Sequence, residues 1–260
     1  MIDVRFLGHS TVLLDLGGVR VLTDPFLRGR LGPLQRHGAV PDPASLDVEV
    51  VVVSHGHPDH FDPASIEVLP GAPILVVPRG LGPKATRLVG ASRVLELEAG
   101  GSVEVAGVRI AGVPARHWIT PGAPRATPIG YVMERVGARA ERMGPGGGRV
   151  YFAGDTGRYA SMTESVGPVD LALLPVWTWG PHLGPGHLGP RMAAQVAAEL
   201  SPHAVIPIHW ATLYPRQLHR VWRGPLADPG HRFAAHVRKL APAVSVHVLQ
   251  PGDHVVVERP

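Results

Sequence analysis

The sequence predicts an α/β protein built as a pseudo-duplicated αβ/βα sandwich, and three observations carry that expectation. Short β-branched or alternating apolar runs, each closed by turn residues, recur along all 260 residues. Stretches of helical character fall between them on both sides of residue 125, which gives halves of about 1–125 and 126–260. Glycine (32) and proline (28) are abundant, so turns should be plentiful and helices few and short. A chain of this length with 45% apolar residues can bury a full core.

Residues 4–7, 11–16 and 19–22 read as a strand followed by a hairpin, with Gly17-Gly18 at the turn. The third of these strands runs into Thr23-Asp24-Pro25, which places a carboxylate at a strand end. Residues 27–46 carry no periodicity and read as a loop, a flap over whatever site the fold builds. Val50-Val51-Val52-Val53 is a buried strand that stops in Ser54-His55-Gly56-His57-Pro58-Asp59-His60. Asp62-Pro63 reads as an N-cap followed by proline in the first turn, opening a helix to residue 68. Strands are expected over 74–77, 94–97, 102–105 and 108–113, with a helix over 83–88; the last strand leads into His117-Trp118. Residues 119–128 read as loop, 129–136 as strand, 144–148 as turn, and 150–153 as a strand leading to Gly154-Asp155-Thr156-Gly157. The strand over 171–176 gives way to a glycine- and proline-rich loop carrying Trp177, Trp179, His182 and His187. An alanine-rich helix over 191–200 is framed by Gly189-Pro190 and Ser201-Pro202. The strand over 204–208 ends at His209-Trp210, and helices over 216–222 and 231–240 precede strands over 244–249 and 254–257.

Composition removes several possibilities. There is no cysteine, so disulfides and thiolate ligands are excluded and any metal must be held by nitrogen and oxygen. Lys84 and Lys239 are the only lysines, so the net charge of +4 rests on arginine. No dense basic run of the kind that binds nucleic acid is present, and no nucleic-acid partner is expected. No apolar run approaches the roughly 20 residues that span a bilayer. The N-terminus shows no basic-then-apolar leader, so a cytoplasmic location is the expectation. The oligomeric state has no signature here.

The chemistry concentrates where apolar runs end. Alternate residues of an extended chain point the same way, so His55 and His57 can bind one ion together. Pro58 then forces a turn that lets Asp59 and His60 face a second position. An isolated histidine is more often a surface or hydrogen-bonded side chain than a ligand. Three histidines and an aspartate within six positions describe two adjacent metals instead. Asp24, His55, His117, Asp155 and His209 all lie just past the C-terminal end of an apolar run, where α/β folds assemble ligand sites. Counting ligands puts His55, His57 and His117 on one ion and Asp59, His60 and His209 on the other, with Asp155 bridging. Zn²⁺ suits this donor set, with Mn²⁺ or Fe²⁺ as alternative occupants. Such a pair can hold a bridging hydroxide that attacks an ester. Asp24 either orients a ligand histidine or makes a turn before Pro25. His187 reads as a substrate contact or proton donor, and His9 as a structural residue or cleft wall rather than a ligand.

His-x-His-x-Asp-His after a hydrophobic strand resembles the signature of the metallo-β-lactamase-fold hydrolases. Leu7 to Ser10, Leu22 to Pro25, Pro114 to Trp118, Gly154 to Gly157, His187 to Pro190 and Ile208 to Trp210 resemble, in order, the branch of the N-acyl-phosphatidylethanolamine-hydrolysing phospholipase D. Ascorbate-phosphate lactonases of the same superfamily share much of this layout. The resemblance implies a four-layer αβ/βα sandwich, two metal sites, Asp59 and Asp155 at the reaction centre, and His187 close to the substrate. It departs at Arg191-Met192, where that branch usually carries acidic residues. The function expected is a dinuclear hydrolase acting on a phosphodiester or related ester of a small or lipid-like molecule. A lactonase and a non-catalytic, metal-stabilised binding module are the alternatives.

Overall fold

A computed structural model of the chain describes residues 1–118, 126–137, 148–178, 183–184, 186–218 and 224–258. Two seven-stranded mixed sheets face one another. From edge to edge the first comprises His254–Val257, Ile2–Gly8, Thr11–Asp15, Arg20–Thr23, Val50–Val52, Ile74–Pro78 and Val94–Leu97. The second comprises Ser245–Val246, Ala204–Ile208, Leu171–Pro175, Val150–Phe152, Ile129–Arg135, Val108–Pro114 and Ser102–Val105. In each sheet hairpin-type antiparallel pairings fill one side and parallel pairings the other. Strands Ser102–Val105 and Val108–Pro114 lie in the second sheet and His254–Val257 in the first, so each sheet draws on both sides of residue 125.

The valine run shows how the layers form. Side chains alternate across a strand, so Val50 and Val52 enter the core shared by the two sheets, among Phe6, Leu14, Tyr131 and Met133. Val51 and Val53 point the other way, onto Ile66, Ala85 and Val89 of helices Pro63–Glu67 and Gly82–Val89. All four valines are fully buried, each worth about 1.5–3 kcal/mol of transfer free energy. Helices Pro190–Leu200 and Gly224–Leu240 pack on each other and cover the second sheet. The helix after the ligand-rich turn begins as expected: the Asp62 side chain accepts from Ser65 N, with Pro63 in the first turn.

Several expectations need correction. Residues 27–46 are not a bare loop. Arg30–Leu31 and Leu34–Arg36 form a small third sheet with Leu213–Pro215, closed over Phe26, Leu34 and Leu213. Runs of two or three residues are too short to show a period, and the partner strand lies far along the chain. Helix Met162–Val166 was not foreseen; its five residues carry no side-chain cap. The last helix starts at Gly224 rather than 231, with Pro229 inside it. The strand expected over 244–249 shrinks to Ser245–Val246. Of the helix expected over 216–222, residues 216–218 are turn and the rest lies outside the described residues, as do residues 119–125, 144–147, Trp179 and His182.

Candidate metal centre

The five strand ends named from sequence converge. Strands Arg20–Thr23 and Val50–Val52 are parallel neighbours, with Thr23 opposite Val52, so Asp24 and Ser54 emerge side by side. In the second sheet Pro175 lies opposite Ile208, which brings the turn at Trp177 to His209. An isolated bridge between Arg116 and Gly157 ties the His117 loop to the Asp155 loop. The sheets are then fastened end to end: Ile129 N donates to Ser54 O at 3.1 Å, and His209 N to His9 O at 2.8 Å.

The backbone bends sharply to achieve this. His9, Asp24 and His209 have φ of 58°, 34° and 60°, a region that costs non-glycine residues energy and persists only where the surroundings demand it. Gly154, beside Asp155, has φ of 57°, and a Cβ there would stand 2.4 Å from Ser54 Cβ. Only glycine allows the Asp155 turn to approach the ligand-rich turn so closely.

Two side-chain groups result. His55 Nε2 and His117 Nε2 stand 2.9 and 3.1 Å from His57 Nδ1. Asp59 Oδ2 stands 3.6 Å from His60 Nε2 and 3.8 Å from His209 Nε2. Asp155 Oδ2 lies between the groups, 3.2 Å from His209 Nε2, 3.5 Å from His60 Nε2 and 4.0 Å from His117 Nε2.

Proton positions follow from the outer contacts. His60 Nδ1 faces Asp24 Oδ2 at 2.6 Å, His209 Nδ1 faces the Trp177 carbonyl at 2.7 Å, and His117 Nδ1 faces the Gly186 carbonyl at 3.1 Å. Each partner is acceptor-only, so each Nδ1 carries the proton. Ser54 donates its hydroxyl to Asp24 at 2.6 Å, so it accepts from His55 Nδ1 at 3.0 Å. With Nδ1 engaged outward, His55, His60, His117 and His209 all turn Nε2 inward, toward one another and toward carboxylates. Among the described residues, His60 Nε2, His209 Nε2 and Asp155 Oδ1 are buried with no hydrogen-bond partner. Imidazole nitrogens and carboxylate oxygens gathered this closely are a donor set that can hold divalent metals. In the protein alone, burial raises Asp155 and Asp59, but neighbouring histidines outweigh it and hold both carboxyls well below the usual range. Burial also lowers His60, yet Asp155, Asp59 and Asp24 drive it well above an ordinary histidine.

Asp24 is fully buried and accepts from Ser54 N, Ser54 Oγ and His60 Nδ1, which is an orienting arrangement rather than a simple turn before Pro25. His187 stands with Nε2 3.5 Å from Asp155 Oδ2 and Nδ1 3.2 Å from the Gly184 carbonyl. His9 is buried beside the cluster. Its Nε2 donates to Asp59 Oδ2 at 2.9 Å, its ring packs 4.0 Å from that of His209, and its backbone N donates to Thr212 Oγ1 at 2.7 Å. Burial lowers its pKa to about 3, so it is a neutral donor. Nothing local marks His9 as part of the site except its place after a strand, in Gly8-His9-Ser10.

A family model described as a β-lactamase superfamily domain matches residues 19–210. A UPF0173 metal-dependent hydrolase of Thermus thermophilus is 31% identical, over 97% of this chain and 98% of that protein. An uncharacterized protein of Mycobacterium tuberculosis is 32% identical, over 97% of this chain and 68% of its own length. Among solved structures, Igni18, a metallo hydrolase from Ignicoccus hospitalis, superposes with a TM-score of 0.75 at 23% identity, covering 100% of this chain and 99% of that one.

Proposed function

The chain belongs to the metallo-β-lactamase superfamily, among the UPF0173 metal-dependent hydrolases, and on that premise we propose that it cleaves a phosphodiester or related ester of a small or lipid-like molecule with two zinc ions. Its helix-flanked sheets are the α/β metallo-β-lactamase fold. The observation that carries the proposal is the inward convergence of Nε2 atoms on rings whose Nδ1 atoms are all engaged outward. His55, His57 and His117 would hold one ion and Asp59, His60 and His209 the other, with Asp155 placed near both groups. Bound metals supply Lewis acidity and lower the pKa of water to about 7.

The chain's own groups do the rest. Asp59 and Asp155 place negative charge between the histidines, and Asp24 fixes the ring of His60. His187, anchored through Nδ1, presents Nε2 at the edge of the cluster, where it can give a proton to a leaving oxygen. The phosphodiester preference rests on the motifs shared with the phospholipase D branch; the substrate panel below decides it against lactones.

The test is turnover of chromogenic phosphodiesters, carboxyl esters and lactones, with and without chelator, alongside metal analysis. Metal-dependent turnover with about two ions per chain supports the reading. Two bound ions with no turnover on any class would favour a binding module, and fewer than one ion per chain would remove the metal assignment.

A further inference from the structure

A groove of about 650 Å³ opens beside the cluster, and His187 belongs to both. Arg158, Arg191 and Arg232 line it, and no carboxylate does among the described residues. Arg158 is neutralised by Glu199, with bonds of 2.6 and 3.0 Å. Arg191 and Arg232 are exposed and have no carboxylate partner among the described residues. Arg191 is the second residue of helix Pro190–Leu200, at the positive end of the helix dipole, where a cation is disfavoured. Helix stability therefore gives no reason for its presence. Leu183 and Met192, each 42% exposed, add an apolar edge to the same groove.

We propose that this groove is a substrate subsite in which Arg191 and Arg232 hold an anionic group, phosphate or carboxylate, set apart from the bond that is cleaved. The inference rests on the hydrolase reading and narrows its substrate class. Guanidinium forks pair with oxyanion edges, and two of them in a groove that no described carboxylate lines favour a negative ligand over a neutral one of equal shape. His187, shared between the groove and Asp155, links the held end to the reacting end. Leu183 and Met192 receive the apolar portion between them.

The test compares zinc-loaded wild type with the Arg191→Glu/Arg232→Glu protein on para-nitrophenyl butyrate and mono-para-nitrophenyl succinate, esters that differ mainly in a terminal carboxylate. The succinate-to-butyrate ratio of kcat/KM should fall about tenfold or more in the variant, and the difference should shrink as salt screens exposed charge. Arg191→Lys/Arg232→Lys should keep most of the preference, which separates charge from damage to the fold. Calorimetric titration with benzyl phosphate and with benzoate separates phosphate from carboxylate, and binding of at least one should weaken on charge reversal. An unchanged ester ratio overturns the subsite. If neither ester turns over, the calorimetry decides: charge-sensitive anion binding keeps the subsite and counts against the hydrolase reading, whereas equal or no saturable binding overturns the subsite.

Discussion

The two side-chain groups of the candidate centre are built differently. His55, His57 and His117 are all imidazole, packed 2.9–3.1 Å apart, and His57 is only partly buried. Asp59, His60 and His209 are all buried and look onto two carboxylates. Around the second group stand further fixed contacts: Asp24 on His60, His9 on Asp59, and the Trp177 carbonyl on His209. A site with more negative charge and stiffer support should bind a dication more tightly and release it later. The all-imidazole group should load last and empty first.

Four experiments sharpen or break that comparison. The largest effect is expected from Asp155→Ala, since the carboxylate faces both groups. Metal analysis should show both ions lost or weakened and activity reduced to background; retention of both ions would break the assignment of Asp155. Next comes Asp24→Ala, which leaves Ser54 N, Ser54 Oγ and His60 Nδ1 without their acceptor. At about 1–3 kcal/mol per stranded donor the melting temperature should fall clearly, and affinity for the second ion by about 10–100-fold. His57→Ala should cost less stability and remove a single ion; loss of both ions would contradict the independence of the groups.

The smallest effect concerns pH. The fully buried His9 has its pKa lowered to about 3, so the unfolded chain takes up a proton near 6.5 that the folded chain refuses. His9 therefore favours folding above pH 6.5, and this contribution is lost as pH falls toward 3, at about 2 kcal/mol between 6.5 and 5. Burial lowers His55 and His117 as well, in the same direction, while His60 opposes them. Melting of metal-free protein should accordingly drop on acidification from pH 7 to 5, and His9→Gln should flatten that dependence.

Sequence shows which residues converge better than it shows what supports them. Asp24, His55, His117, Asp155 and His209 could be found because each follows a buried run, and a buried run is visible as composition. The orientation of His60 by Asp24 was one of two readings, since an aspartate before proline makes turns as readily as it orients rings. The expectation that His9 is structural or a cleft wall says nothing of its partner, because Asp59 lies 50 positions away and the left-handed backbone at His9 has no local sign. The third sheet was missed for the same reason: Leu213–Pro215 pairs with Leu34–Arg36 across most of the chain. The start of the last helix at Gly224 is hidden in sequence because Pro225 and Pro229 argue locally for a break, yet Pro229 lies inside the helix.

The most direct test is anomalous diffraction at the zinc edge from crystals grown with zinc. Two peaks are predicted, one among His55, His57 and His117 and one among Asp59, His60 and His209, about 3.5–4 Å apart with Asp155 reaching both. A single peak, or peaks away from these side chains, would contradict the paired centre.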